Sequence, residues 1–255
     1  MAEPSPQERY LGGLETHDID EVREAFDRGL DPEAPINGRT PAQWLTEMYF
    51  RSPRFADMAQ LVLDRGATLD DPELVPVLTG DIDRLRRRLN EHPDVLHHRT
   101  TLESVFTPLE DVTLLHVAAE YALTDVARVL LDAGLDVDGR AGMDRHGLNG
   151  QTPLFHTVNS NWNVAHPVMR LLLERGARTD ILLTGIVWGR GQDWETMLFD
   201  VTPLSYAQFG LLPQFHRRSI EIFQNVVEML KAAGRPVPPL ENVPNKYSRE
   251  FAIER

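Results

Sequence analysis

The chain has 255 residues, enough to bury a sizeable core. Its 39 acidic and 26 basic residues leave a formal net charge of −13, which repels phosphate backbones and argues against a nucleic-acid partner. Cysteine is absent, so disulfides and cysteine-ligated zinc are excluded; there is also no run of 18 apolar residues to span a bilayer and no secretory layout at Met1 to Gln7, which makes the expectation a cytoplasmic protein with no membrane partner.

In chain order, Asp20 to Gly29 reads as a helix with a glycine stop. Thr40-Pro41-Ala42 opens a helix pair, with threonine as the cap and proline at the first helical position, where no hydrogen bond is lost. That pair closes at Leu61-Val62-Leu63-Asp64-Arg65-Gly66-Ala67. Val75 to Leu89 is a shortened copy that turns at Gly80-Asp81 and points Leu85 and Leu89 inward. The clearest copy is Thr113-Leu114-Leu115-His116-Val117-Ala118-Ala119 followed by Asp125 to Gly134. Its second helix places Val126, Val129 and Leu130 on one face, and Gly134 supplies a left-handed stop. Thr152-Pro153-Leu154 opens another copy, closed at Leu171-Leu172-Leu173-Glu174-Arg175-Gly176-Ala177. Thr202-Pro203-Leu204 opens the last, closed at Gly234. A proline-rich tail follows, with Pro236, Pro238, Pro239 and Pro244.

This grammar resembles the ankyrin repeat, with its Thr-Pro-Leu-His turn, Ala-Ala helix face and Leu-Leu-x-x-Gly-Ala close. Thr113 to Asp138 carries the resemblance most fully, departing from it at Leu114, Ala122 and Leu135. The resemblance implies an all-α fold, an ankyrin-repeat α-solenoid of stacked helix-turn-helix units with finger loops or short hairpins. The units fall near 8–37, 38–71, 72–100, 111–141, 150–183 and 201–236, with the tail at 237–255. It also implies that His116 hydrogen-bonds backbone in its turn.

Five insertions depart from regular repeats. Three fall between paired helices, at Phe50 to Pro53, Trp162 to Pro167 and Leu211 to Arg218. Two fall on the finger side, at Gly139 to Gly150 and Thr184 to Asp200. Within the last, Ile186 to Phe199 carries two of the four tryptophans, and its glycines suit a hairpin turn between two short strands. Those aromatics are either tucked over a neighbouring finger or offered to a partner, since aromatics and arginine commonly anchor interfaces.

The resemblance implies an acidic protein-protein interaction module that binds through a groove and its finger loops. The candidate partner-binding residues are Tyr121, Asn159, Asn161, Trp162, His146, Trp188, Arg190, Trp194, Tyr206 and Phe209. The expected partner is a protein, and the chain is expected to be a monomer with no metal, no cofactor and no catalytic residue. The alternative is an enzyme or small-ligand protein with a pocket roofed by the C-terminal insertions. It would require His146, His156, His166, Asp193, Glu195 and Tyr206 to converge. No nucleotide-binding loop, nucleophile elbow or zinc-protease motif supports it.

Overall fold

A computed structural model describes residues 3–213, 215 and 217–237. The chain begins with α1 (Pro6–Thr16) and α2 (Ile19–Asp27), followed by α3 (Pro41–Glu47) and α4 (Phe55–Asp64). A 3-10 turn at Pro72–Leu74 leads into α5 (Val75–Leu78) and α6 (Ile82–Glu91). After a second 3-10 turn, Pro93–His97, come strands β1 (Arg99–Leu102) and β2 (Leu109–Thr113), then α7 (Leu114–Glu120) and α8 (Thr124–Asp132). Two further 3-10 turns, Pro153–His156 and Asn161–Asn163, precede α9 (His166–Glu174). Strands β3 (Leu183–Trp188) and β4 (Thr196–Val201) precede α10 (Pro203–Phe209) and α11 (Ser219–Ala232).

The helices start where side chains can satisfy their first N–H groups. Ser5 and Glu8 close a capping box on α1, Thr40 and Gln43 one on α3, and Thr202 and Ser205 one on α10. At α7 the box is closed by an imidazole. The Thr113 N–H donates to His116 Nδ1 over 3.2 Å, so the Nε2–H of this tautomer donates to the Gln151 carbonyl at 3.0 Å. Burial, reinforced by neighbouring His156, holds the His116 pKa well below the usual histidine range, so the ring stays neutral. The far end of α8 stops at Gly134, whose φ of 96° is open to a residue without Cβ.

The helices pack on one another in chain order. Helix α2 meets α4, α4 meets α5, α5 meets α7, and α6 meets α8, while α8 meets α9 and α9 meets α11. One continuous apolar core runs through them, from Tyr10 and Leu14 through Leu85, Leu115 and Leu130 to Leu172 and Met229. No helix among the described residues is long and apolar enough to cross a membrane.

The expected all-α solenoid of the ankyrin type is corrected by the strands. β1 pairs with β2 and β3 with β4, each as a two-stranded antiparallel sheet, so the chain is a mixed helix and sheet protein. The β3–β4 hairpin falls where the glycines within 186–199 suited one, whereas the helical period hides β1 and β2, whose pairing is set at a distance. The Thr152 copy also differs from a helix pair. Its first element is only the 3-10 turn Pro153–His156, and Trp162 at φ 53° breaks the chain before α9. Of the proline-rich tail, residues 238–255 lie outside the described residues.

His17 closes α1 in a left-handed conformation, fully buried, with its Nδ1 2.7 Å from the Ser52 hydroxyl. Burial, then the charges of Arg51 and Arg54, pull its pKa from 6.5 down to about 4. The unfolded chain therefore binds a proton below pH 6.5 that the folded chain refuses. The stabilisation is complete above pH 6.5 and is lost as pH falls toward 4. The expected loss is on the order of 3 kcal/mol. Denaturation curves at neutral and acidic pH check it. A His17→Asn variant, which keeps the left-handed cap, should show a flatter acid limb; an unchanged limb would assign the acid sensitivity to other groups.

Candidate functional site

Two constructions stand out, a two-faced hairpin and a buried charged cluster. The hairpin is β3–β4, with Leu183 opposite Val201, Gly185 opposite Phe199, Ile186 opposite Leu198, Val187 opposite Met197 and Trp188 opposite Thr196. Its turn uses Gly189 and Gly191 at positive φ and is tied by Gln192 N–H to Gly189 O and by Gly191 N–H to the Glu195 carboxylate at 2.7 Å. Side chains alternate across a strand pair. One face sends Ile186, Trp188 and Leu198 into the core. The Trp188 indole lies between Phe106, at 5.8 Å, and Phe215, at 4.0 Å, with both rings nearly parallel to it. The opposite face carries Val187, Met197 and Phe199, with Phe199 67% exposed and Met197 38% exposed.

The hairpin is joined to its neighbours by single backbone bonds. Asn149 N–H donates to Gly185 O on β3 and Gly189 N–H donates to Phe106 O, while Gly142 N–H, next to the 143–149 turn, is shared between Glu110 O and Asp111 O on β2. The turn spanning Met143 to Asn149 therefore sits between β2 and β3 in a row of fingers, with β4 at its end. Gly185 makes the close approach possible. A Cβ there would fall 2.9 Å from the Leu198 carbonyl oxygen and 3.0 Å from the Leu148 side chain.

The charged cluster lies between the elements. Glu120, at the end of α7, accepts from Arg51 Nη2 at 3.3 Å on one oxygen and faces His156 Nδ1 at 2.9 Å on the other. Arg51, Glu120 and His156 are all buried. The Arg51 guanidinium lies over the Tyr121 ring at 4.6 Å, and Tyr121 donates to Thr46 O. Burial pushes the Tyr121 phenol up, beyond the usual tyrosine range. His156 Nε2 is buried without a hydrogen-bond partner, and the His116 ring stands edge-on to it at 5.5 Å. Arg217 extends the cluster. Its Nε donates to Asn159 O, its Nη1 donates to Phe215 O at 2.7 Å, and burial draws its pKa down. The set resembles in chemistry a base oriented by a carboxylate, yet Arg51, Glu120 and His156 are closed to solvent, so they order the chain rather than meet a substrate.

The candidate residues read from the sequence divide sharply. Trp188, Tyr121, Tyr206 and Asn159 are buried in the core. Tyr206 shares a hydrogen bond with the Thr107 hydroxyl at 2.8 Å, and Asn159 Nδ2 donates to Tyr206 O at 3.1 Å. The polar tips of Tyr121, Tyr206 and Asn159 are satisfied internally, so these residues turn inward. Trp162 and Trp194 are exposed, 59% and 42%, with the Arg218 guanidinium over the Trp162 ring. His146 and Arg190 are exposed on the fingers, Arg190 paired with Glu110; Asn161 and Phe209 are half-buried. The structure brings Trp194 and Arg190 to one hairpin but leaves Trp162 on a different loop.

The six residues required by the alternative reading do not meet. His146 lies beside Arg145, His156 faces Glu120, His166 faces Glu228 at 3.0 Å, Tyr206 faces Thr107, and Asp193 and Glu195 stand on the exposed hairpin turn. Sequence reading passed over Met197, Phe199, Arg51 and Arg217. The signal for the arginines was their place inside two of the insertions; for Phe199 there was none, because Met197-Leu198-Phe199 is an unbroken apolar run without alternation. The sequence matches no protein-family model, and no curated protein matches it.

Two outcomes test this placement. Trp188→Ala should cost about 3–5 kcal/mol, whereas Trp194→Ala should cost below about 1 kcal/mol, both read from chemical denaturation. Equal losses would contradict the two-faced hairpin. Glu120→Ala leaves Arg51 buried and uncompensated, and should destabilise the chain by about 3–5 kcal/mol; a loss under about 1 kcal/mol would show that the cluster opens to water.

Proposed function

We propose that this chain is a protein-binding module whose contact face is the outer side of the β3–β4 hairpin together with the adjoining 143–149 turn. The observation that carries this reading is the exposed apolar set on a firmly seated hairpin. Phe199, Met197 and Trp194 face solvent, and Met143 on the adjoining turn is 67% exposed. A monomeric protein rarely leaves so many large apolar groups together in water without a use for them. The inner face of the same hairpin is anchored by Ile186, Trp188 and Leu198, so the outer face is held in place before any partner arrives. Preorganisation of that kind lowers the entropy cost of binding.

The acidic balance of the chain favours a neutral or basic protein over nucleic acid. The cysteine-free sequence suits a reducing compartment, and in this reading the chain acts in the cytoplasm as a monomer. Recognition rests on shape and side-chain complementarity, with no covalent step.

The test compares wild type with Phe199→Asp and Trp194→Ala as bait in native extract, then measures the purified captured protein by calorimetry. Both variants should keep the wild-type melting temperature, and Phe199→Asp should weaken binding by at least about 30-fold, the size of an interface hot spot. Identical capture and affinity for all three would overturn the reading.

A further inference from the structure

We propose that the free edge of β4 receives an extended, lysine- or arginine-bearing segment of the partner protein as an added strand. The inference rests on the protein-binding reading of the hairpin and specifies how the partner is held. The first support is the direction of the backbone groups. Gly185 gives its carbonyl to Asn149 N–H, on the side of β3 away from β4. Gly185 and its opposite residue, Phe199, therefore form a pair that does not exchange hydrogen bonds. Two residues along, Val187 and Met197 form another, consistent with Gly189 N–H pointing away to Phe106 O. It follows that the N–H and C=O groups of Met197 and Phe199 point out of the sheet. Among the described residues, none of 196–201 has a backbone hydrogen bond outside the β3–β4 ladder. Such a row is a template for one more strand, and the exposed Met197 and Phe199 side chains give an incoming strand something to grip. Asp200, at φ 49°, ends the run.

Charge selects the occupant. Asp193, Glu195 and Asp200 flank this edge, all exposed, and none joins an ion pair among the described residues. The nearby Arg190 is already held by Glu110. A second copy laid edge to edge would bring these carboxylates against their own kind, and like charges on adjacent strands destabilise pairing. A cationic segment is instead drawn in and held in register.

The experiment uses the full chain and two short end-capped peptides, one alternating lysine with valine and the other glutamate with valine. Binding is followed by amide hydrogen exchange and by calorimetry. The lysine peptide should slow exchange at Met197 and Phe199, and the glutamate peptide should not bind. Met197→Pro removes an N–H that the β3–β4 ladder does not use, so the hairpin should survive, as judged from the near-ultraviolet signal of Trp188. It should weaken the lysine peptide by at least about tenfold. Should that variant lose the hairpin, N-methylation of the peptide amides that would face β4 makes the same test on the wild-type chain. Unchanged affinity under either block, equal binding of both peptides, or absence of protection at Met197 and Phe199 would overturn the added strand. So would a concentration-dependent dimer in sedimentation that Met197→Pro abolishes, because it would give the edge to a second copy. If Phe199→Asp abolishes capture of the native partner while Met197→Pro leaves it intact, the binding face stands and the added strand falls; if neither matters, both fall.

Discussion

A carboxylate that loses its water must be neutralised by whatever surrounds it, and the middle of this chain is arranged around that requirement at Glu120. Arg51 arrives from 69 residues upstream and His156 from 36 residues downstream, each taking one carboxylate oxygen. Removing an ion from water costs several kcal/mol even in a relaxed protein interior, so neither partner is optional. The demand fixes the loop before α4 against the end of α7, and fixes the turn Pro153–His156 on the other side. Apolar packing holds the helices together, but it is indifferent to where irregular loops lie. The charged cluster supplies the missing direction.

The irregular segments share one solution to a common problem. A loop buried against its neighbours has carbonyls with no ladder to join. Arg51 donates to the carbonyls of Met48 and Phe50 within its own loop. Arg217 does the same for Phe215 and reaches across to Asn159. In each case a guanidinium, with five donors in a fixed fork, gathers the chain around itself. Two of the three insertions between paired helices, 50–53 and 211–218, are thus ordered from within by an arginine, and aromatic rings of Tyr121 and Phe106 lie under the two guanidinium groups.

Helix starts and stops were legible because their causes are local. A threonine followed by proline, or a glycine after two leucines, acts within one turn, and Thr40, Thr202 and Gly134 do what their neighbours dictate. The strands were less legible because their causes are distant. Arg99-Thr100-Thr101-Leu102 has one buried position and no sustained alternation, and it becomes a strand only because β2 lies beside it. The turn between β3 and β4 could be read from its glycines, but not which side would face inward. That choice is made by Phe106 and Phe215, which come from far apart and leave room for Trp188 rather than for Phe199. Tyrosine and tryptophan suit both a core and an interface, since each joins a large apolar body to a polar tip. Composition alone therefore could not separate Tyr206, bonded to Thr107, from Trp194 on the open turn.

The ring stack through Trp188 also bears on how the chain can be shortened. Phe106 precedes the indole in sequence and Phe215 follows it, so the layer is complete only when the segment leading into α11 is in place. A chain ending at α10 would keep the hairpin but bare one flat side of its tryptophan, and would lose Arg217 from Asn159 at the same stroke. Fresh oily surface would then open beside a surface that is already oily by design, and selective attachment would decay into stickiness. The segment between α10 and α11, through Phe215, is in this sense a lid on the hairpin's underside, and deletion there trades discrimination for aggregation.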